Sequence, residues 1–300
     1  MNRIVFDKKS AASLLPQRPQ NSNKGTFGKV LLVCGSRNMC GCAVLCAEGA
    51  LRSGAGLVQL AFPDCLYIPL LSQLKEPVFL PFKTSDDGTF DESDIIKILN
   101  YANAADAVIV GCGIGVSNGT KKLVYSLVTE CIKPLILDAD ALNIIAKQPY
   151  ILKNARSSVL LTPHPGEMAR LIGKDISGIE SDREKACFDF VNEYKVNLLL
   201  KGHRTLVVSA DGESLYENAS GNSGLAKGGS GDLLSGIIAG LTPAFKGDLF
   251  KSACLGAYIH GLTSDILKDE LSEYSMLPSD CAKALPRAFL TVYSAGENNQ

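Results

Sequence analysis

Glycines at 228, 229 and 231 stand directly before Asp232, within the run Asn222-Ser223-Gly224-Leu225-Ala226-Lys227-Gly228-Gly229-Ser230-Gly231-Asp232. An apolar, helix-compatible segment, Leu233–Leu241, follows. A glycine-rich loop lets successive backbone N–H groups turn toward one point. The N-terminus of a helix adds unpaired donors and the positive end of its dipole. Together they make a site for a phosphate or another oxyanion. A carboxylate beside such a site repels the anion, so Asp232 needs a task. One is to take a proton from a hydroxyl that attacks a bound phosphoryl group. The other is simply to cap the helix. The two roles can coexist.

Four further stretches carry candidate chemistry. Gly111-x-Gly113-x-Gly115 follows a strand, but its third glycine comes one residue early for a dinucleotide fingerprint, so it reads as a place of close ligand approach or as a tight turn. Thr162-Pro163-His164-Pro165-Gly166-Glu167 is stiffened by two prolines and presents His164 and Glu167 between a strand end and a helix start, as a functional loop or as structural capping. Lys201-Gly202-His203-Arg204-Thr205 gathers two cations, a histidine and a hydroxyl, which suits a nucleotide phosphate or a solvated turn. Asp138 and Asp140 could reach Mg²⁺ through water, and Asp140 could equally cap a helix at Ala141.

Apolar runs at Lys29–Cys34, Leu57–Phe62, Ala107–Val110, Leu135–Leu137, Val159–Leu161 and Asn197–Leu200 read as strands. Helical patterns at Cys42–Ser53, Asp94–Tyr101, Lys121–Cys131 and Glu180–Tyr194 separate them. Thr205–Ser209 and Glu213–Glu217 read as a hairpin around Asp211-Gly212, and 230–295 as mostly helical. This alternation predicts an α/β domain with a mostly parallel sheet covered by helices on both faces. The expected organisation is an N-terminal arm over 1–28, one catalytic domain over 29–295 and a frayed tail over 296–300. The glycine-rich or polar punctuation comes directly after Cys34, Val110, Leu137, Leu161 and Leu200. If those strands are parallel, the loops converge on one cleft beyond their carboxyl ends.

Composition bounds the rest. The chain has 300 residues, is 46% hydrophobic and 20% charged, and carries a formal net charge of −1. That balance gives no electrostatic case for nucleic acid or an anionic membrane. No apolar run approaches a bilayer span and the start is polar, so a cytoplasmic protein is expected. Most of the ten cysteines sit in apolar surroundings as small hydrophobes. Cys40, Cys42 and Cys46 are clustered, but no second pair accompanies them, which argues against zinc there.

Five stretches in this order carry a family likeness: Gly35-Ser36-Arg37-Asn38-Met39-Cys40-Gly41, Ala50-Leu51-Arg52-Ser53-Gly54-Ala55-Gly56-Leu57-Val58, Asp138-Ala139-Asp140-Ala141-Leu142-Asn143, Thr162-Pro163-His164-Pro165-Gly166-Glu167 and Gly228-Gly229-Ser230-Gly231-Asp232. From about Lys24 to the C-terminus the chain resembles the ADP/ATP-dependent NAD(P)H-hydrate dehydratases, a branch of the ribokinase-like superfamily. The resemblance implies a three-layer α/β/α sandwich. It also implies repair of NADH or NADPH hydrated at the nicotinamide ring: a phosphoryl group passes from ADP or ATP to the ring hydroxyl, and elimination of phosphate restores the double bond. Under it, Asp232 is the base, with Gly229 and Gly231 in the loop that stabilises the moving phosphoryl group. Gly231 and Lys201, Gly202, His203, Arg204 and Thr205 would hold the nucleotide, and Ala43, Gly113, His164 and Asp232 the hydrate. Glu167 falls where related kinases keep an acidic residue near Mg²⁺. ADP is the preferred donor by family analogy. With no room for the epimerase domain of many relatives, the chain is expected to act on one epimer or beside a separate epimerase, as a homo-oligomer. Ser230, often threonine in relatives, keeps the hydroxyl and the N–H, whereas Cys40 and Cys42 depart from the usual small residues. The rival is a vitamin-precursor kinase of the same fold.

Overall fold

The computed structural model describes residues 2–297. The N-terminal half runs β1 (Asn2–Ile4), α1 (Lys8–Leu14), β2 (Lys29–Val33), α2 (Cys40–Arg52), β3 (Leu57–Pro63), α3 (Tyr67–Leu71), β4 (Val78–Phe82), α4 (Ile95–Asn103), β5 (Ala107–Val110) and α5 (Asn118–Glu130). Next come β6 (Leu135–Leu137), α6 (Asp140–Ile145), β7 (Val159–Leu161), α7 (Pro165–Ile172), α8 (Ile176–Glu180), α9 (Arg183–Tyr194) and β8 (Asn197–Leu200). The chain closes with β9 (Leu206–Val208), β10 (Ser214–Glu217), α10 (Ser230–Leu241), α11 (Leu249–Ser275) and α12 (Pro278–Glu297).

One ten-stranded sheet has the order β1-β10-β9-β8-β7-β6-β5-β2-β3-β4. From β4 to β8 every pairing is parallel; β9 runs antiparallel to both β8 and β10. The alternation of β2 explains its unbroken apolar run. Leu31 and Val33 enter the core on one face, and Val30 and Leu32 the core on the other. Strand β5 divides in the same way, Val108 and Val110 against Ala107 and Ile109. A strand covered on both sides has no polar face to show. Helices α4, α5, α6, α7 and α9 cover the first face and α2, α10 and α11 the second, which gives the three layers. A further apolar cluster joins α10 and α11 to α1 and α12.

Several expectations change. Residues 1–28 are more than an arm: β1 extends the sheet beside β10, and α1 packs its fully buried Ala11 against the C-terminal helices. The helix expected over Glu180–Tyr194 is α9 and starts three residues later, at Arg183, because Asp182 caps it by accepting from Lys185 N at 3.0 Å; Glu180 instead closes the short α8. Strand β4 was not expected. Its Pro81 argues against a strand, but β4 ends the sheet, where a missing donor is tolerated. The tail expected to fray over 296–300 is helical through Glu297 and lies beyond that outside the described residues. Among the described residues no helix is long and apolar enough to cross a membrane.

The contact that matters most for function is between α2 and α10. A Cβ on Gly236 would stand 2.1 Å from the Cys46 carbonyl oxygen, so only glycine permits this approach. It seats the first turn of α10 beside the start of α2, over the carboxyl ends of β2 and β5.

Candidate active site

The loops after β6, β7 and β8 meet the Asn218–Asp232 segment around a cleft of about 890 Å³. Helix α10 begins at Ser230, earlier than its apolar pattern suggests, so Gly231 and Asp232 lie in its first turn. Gly229 takes the N-cap position at φ 100°, a left-handed conformation that a side chain resists. The cap has no side-chain hydrogen bond, and Asp232 does not supply one. That removes the capping role and leaves the carboxylate facing the cleft. Burial, with Asp138 second, pushes its pKa up to about 6.

Asp138 is the hub beneath the cleft. It is fully buried, and Oδ1 accepts from Lys201 Nζ at 2.8 Å and from Thr162 Oγ1 at 2.8 Å. Its Oδ2 accepts from Ser235 Oγ at 2.9 Å. Burial alone would raise this carboxyl, but the Lys201 ammonium and the three donors outweigh that and hold it below its ordinary value. Asp138 therefore stays anionic, and its charge keeps Asp232 eager for a proton. Asp140 neither caps a helix nor reaches Asp138; its Oδ2 accepts from Gly115 N at 2.9 Å and ties the loop after β5 to the start of α6.

His164 caps α7. Its Nδ1 accepts from Gly166 N at 3.0 Å, and Glu167 Oε2 accepts in return from His164 N at 2.8 Å. A ring nitrogen that accepts must be unprotonated, which leaves the proton of the neutral imidazole on Nε2. Burial first, then the Lys201 and Arg170 charges, lowers the His164 pKa and favours that state. Glu167 is buried, which raises its pKa, and Oε2 lies 3.7 Å from Lys201 Nζ. Its Oε1 has a 3.5 Å contact with His164 Nε2. Both oxygens are thus engaged within the chain, and a further cation would require Oε1 to leave its contact with His164 Nε2; Mg²⁺ characteristically takes one or two carboxylates plus phosphate oxygens.

The Lys201–Thr205 segment lines the same cleft, although its cations are already paired. Lys201 pairs with Asp138, and Arg204 Nη1 turns to Glu217 Oε1 at 2.8 Å. Gly202, His203 and Thr205 border the cavity with it. Two expected hydrate contacts lie elsewhere. Ala43 is fully buried in α2, and Gly113 faces Met39 and Cys42, whose Sγ would be 3.0 Å from a Cβ there. Both stand on the α2 side of Asp232, outside the residues lining the cleft.

The family model for NAD(P)H-hydrate dehydratase matches residues 30–287.

The chain belongs to the NAD(P)H-hydrate dehydratase family.

An ADP-dependent (S)-NAD(P)H-hydrate dehydratase from Bacillus subtilis is 32% identical over 96% of this chain and 99% of its own length. Its counterpart from Neisseria meningitidis is 38% identical over 84% of this chain and 81% of its own. A bifunctional NAD(P)H-hydrate repair enzyme from Moorella thermoacetica is 35% identical over 95% of this chain. The chain spans about half the length of the bifunctional relatives it matches, 53% in that case. The crystal structure of a B. subtilis ADP/ATP-dependent NAD(P)H-hydrate dehydratase, co-crystallised with ATP and Mg²⁺, superposes with a TM-score of 0.83 at 29% identity, covering 97% of this chain and 99% of that one. A hydroxyethylthiazole kinase from Pyrococcus horikoshii, at 17% identity and a TM-score of 0.58, shares the fold alone.

Within this dehydratase fold, some cleft residues escape a reading of motifs. Beneath the cleft, Ser235 completes the Asp138 hub together with Thr162 of the proline-stiffened loop read from the sequence. His260, in the middle of α11, lines the cleft with its Nε2 buried and unpartnered. Burial, then Lys201, lowers its pKa to about 4, so it is neutral. The available signal was a polar residue inside the apolar run Cys254–Leu262.

Proposed function

We propose that this chain dehydrates hydrated NADH or NADPH, acting on the S epimer and driven by phosphoryl transfer from ADP or ATP. The observation that carries the reading is Asp232: a carboxylate with its pKa near 6, in the first turn of the helix that follows a glycine loop. Such a group accepts a proton near neutral pH and sits where backbone donors can hold a phosphoryl group.

Asp232 takes the proton of the ring hydroxyl. The hydroxyl oxygen attacks the terminal phosphorus of the nucleotide, and the bond from that phosphorus to the bridging oxygen breaks. Hydroxide is a poor leaving group and phosphate a good one. The phosphorylated ring then expels phosphate, the neighbouring ring carbon gives up a proton to solvent, and the electron pair of that C–H bond restores the double bond. Backbone N–H groups at Gly229 and Gly231 face the charge on the moving phosphoryl group. Lys201 lies close beneath, 3.3 Å from where a Gly231 Cβ would be. The Lys201–Thr205 segment borders the nucleotide, and His164 offers its Nε2–H to the hydrate. Glu167 would hold Mg²⁺, whose charge would offset that of the phosphates. Ala43 and Gly113 would bound the hydrate on the α2 side of Asp232.

The same proposal puts the protein in the cytoplasm, working on free dinucleotides. Exposed Tyr67, Ile68, Leu71 and Val78, around the last strand of the sheet, support a homo-oligomer, which light scattering would test. The decisive experiment mixes purified protein and Mg²⁺ with hydrated NADH and ADP, ATP or no nucleotide. Nucleotide-dependent recovery of reduced-nicotinamide absorbance is expected. No recovery with either nucleotide, but consumption of nucleotide when a vitamin-like alcohol is supplied, would instead favour the vitamin-precursor kinase.

A further inference from the structure

Cys34 at the end of β2, Cys46 in α2 and Cys112 after β5 bring their sulfur atoms within 4.8 Å of one another. All three are free thiols and fully buried. Their wide sequence separation hides the group from any spacing rule. Other buried cysteines, such as Cys131, Cys187, Cys254 and Cys281, enter no such group. Cys112 belongs to a second group as well, with ligand atoms of Asp138 and Asp232 again within 4.8 Å. Its Sγ is 3.7 Å from Asp138 Oδ2. The thiols thus stand directly behind the proposed base.

We propose that Cys34, Cys46 and Cys112 form a three-thiolate site for a thiophilic divalent cation of the Zn²⁺ type. Zinc–sulfur bonds of about 2.3 Å in tetrahedral array put sulfurs about 3.8 Å apart. From separations of at most 4.8 Å the trio reaches that spacing with a shift of no more than about 0.6 Å per sulfur. Soft thiolates select such ions over Mg²⁺, so the site does not compete with the nucleotide's metal. On binding, three S–H bonds are replaced by three metal–sulfur bonds and three protons leave to solvent, so a dication gives a complex of charge −1. Three protein ligands leave one tetrahedral position open.

The test is anaerobic titration of the reduced full-length chain with Cd²⁺, following the ultraviolet thiolate-to-cadmium band. One equivalent with the intensity of three thiolates is expected. Cys46→Ala and the isosteric Cys46→Ser should each weaken binding about tenfold or more, while Cys65→Ala, at an exposed thiol, leaves it unchanged. The serine variant keeps the test informative if the alanine variant does not fold. No band, or a full band in folded Cys46→Ser, overturns the site. The binding result is independent of the dehydratase reading.

Discussion

Lys201 Nζ stands 2.8 Å from Asp138 Oδ1, a buried ion pair 63 residues apart in sequence. It is the joint on which the cleft is built. The ammonium holds Asp138 anionic, approaches Glu167 at 3.7 Å and lies just under Gly231. Removing one member of a buried pair strands the other's charge.

Lys201→Met should therefore destabilise the protein by about 3 kcal/mol or more in urea unfolding. Adding Asp138→Asn should recover part of that loss, because the stranded carboxylate is gone. Equal stabilities for the single and double variants would show that the pair is not coupled. Activity should fall in both, since the ammonium also faces the phosphoryl site.

Asp232 gives opposite signs for activity and stability. Its folded pKa is raised from 3.8 to about 6, by burial first and Asp138 second. As a base it works only when deprotonated, so kcat/KM should fall as pH drops through about 6. The folded state binds this proton more tightly than the unfolded chain does. Its favourable contribution is present below about pH 4 and is lost as pH rises to about 6. Asp232→Asn should thus cut turnover about a thousandfold yet stabilise the fold above pH 6 by up to about 3 kcal/mol. Nucleotide affinity should stay largely intact. Full activity in that variant would remove the base.

His164 combines two roles that separate variants can divide. As N-cap of α7 it accepts from Gly166 N and Glu167 N, and His164→Ala should cost about 1 kcal/mol of stability. His164→Asn keeps a capping oxygen and should regain most of that. Neither restores the Nε2–H offered to the hydrate, so both should weaken hydrate binding more than ADP binding in calorimetry. The reverse order would mean that the two ends of the cleft are swapped.

The parallel centre of the sheet was legible because strands such as β2 and β5 are apolar on both faces and are followed at once by glycine or polar loops. The convergence of those loops then follows from parallel pairing from β2 through β8. The edges were not legible. Strand β1 has only Asn2, Arg3 and Ile4, and β4 carries a proline. The site was legible where a motif is local, as in Gly228–Asp232. It was hidden where the chemistry comes from distant contact. Nothing near Asp138 in sequence announces Lys201 or Ser235, and nothing near Cys34 announces Cys112. Arg204 shows the converse, since its type suggested a phosphate ligand but Glu217 engages it.

His260 extends that lesson to the nucleotide. An imidazole nitrogen buried without a partner costs about 1–3 kcal/mol, which calls for a ligand that repays it. Its neighbours along the cleft include Ala257, Gly261 and Leu225, an apolar setting apart from the glycine loop. That setting suits the adenosine end of the nucleotide, where a neutral ring can donate to or accept from ribose or adenine. His260→Ala should weaken ADP and AMP alike, by about tenfold for one lost hydrogen bond, and leave inorganic pyrophosphate unaffected. Lys201→Met should weaken pyrophosphate as much as ADP. Should His260→Ala weaken pyrophosphate equally, the imidazole faces the phosphates instead. Should neither variant change ADP affinity, the nucleotide lies outside this cleft.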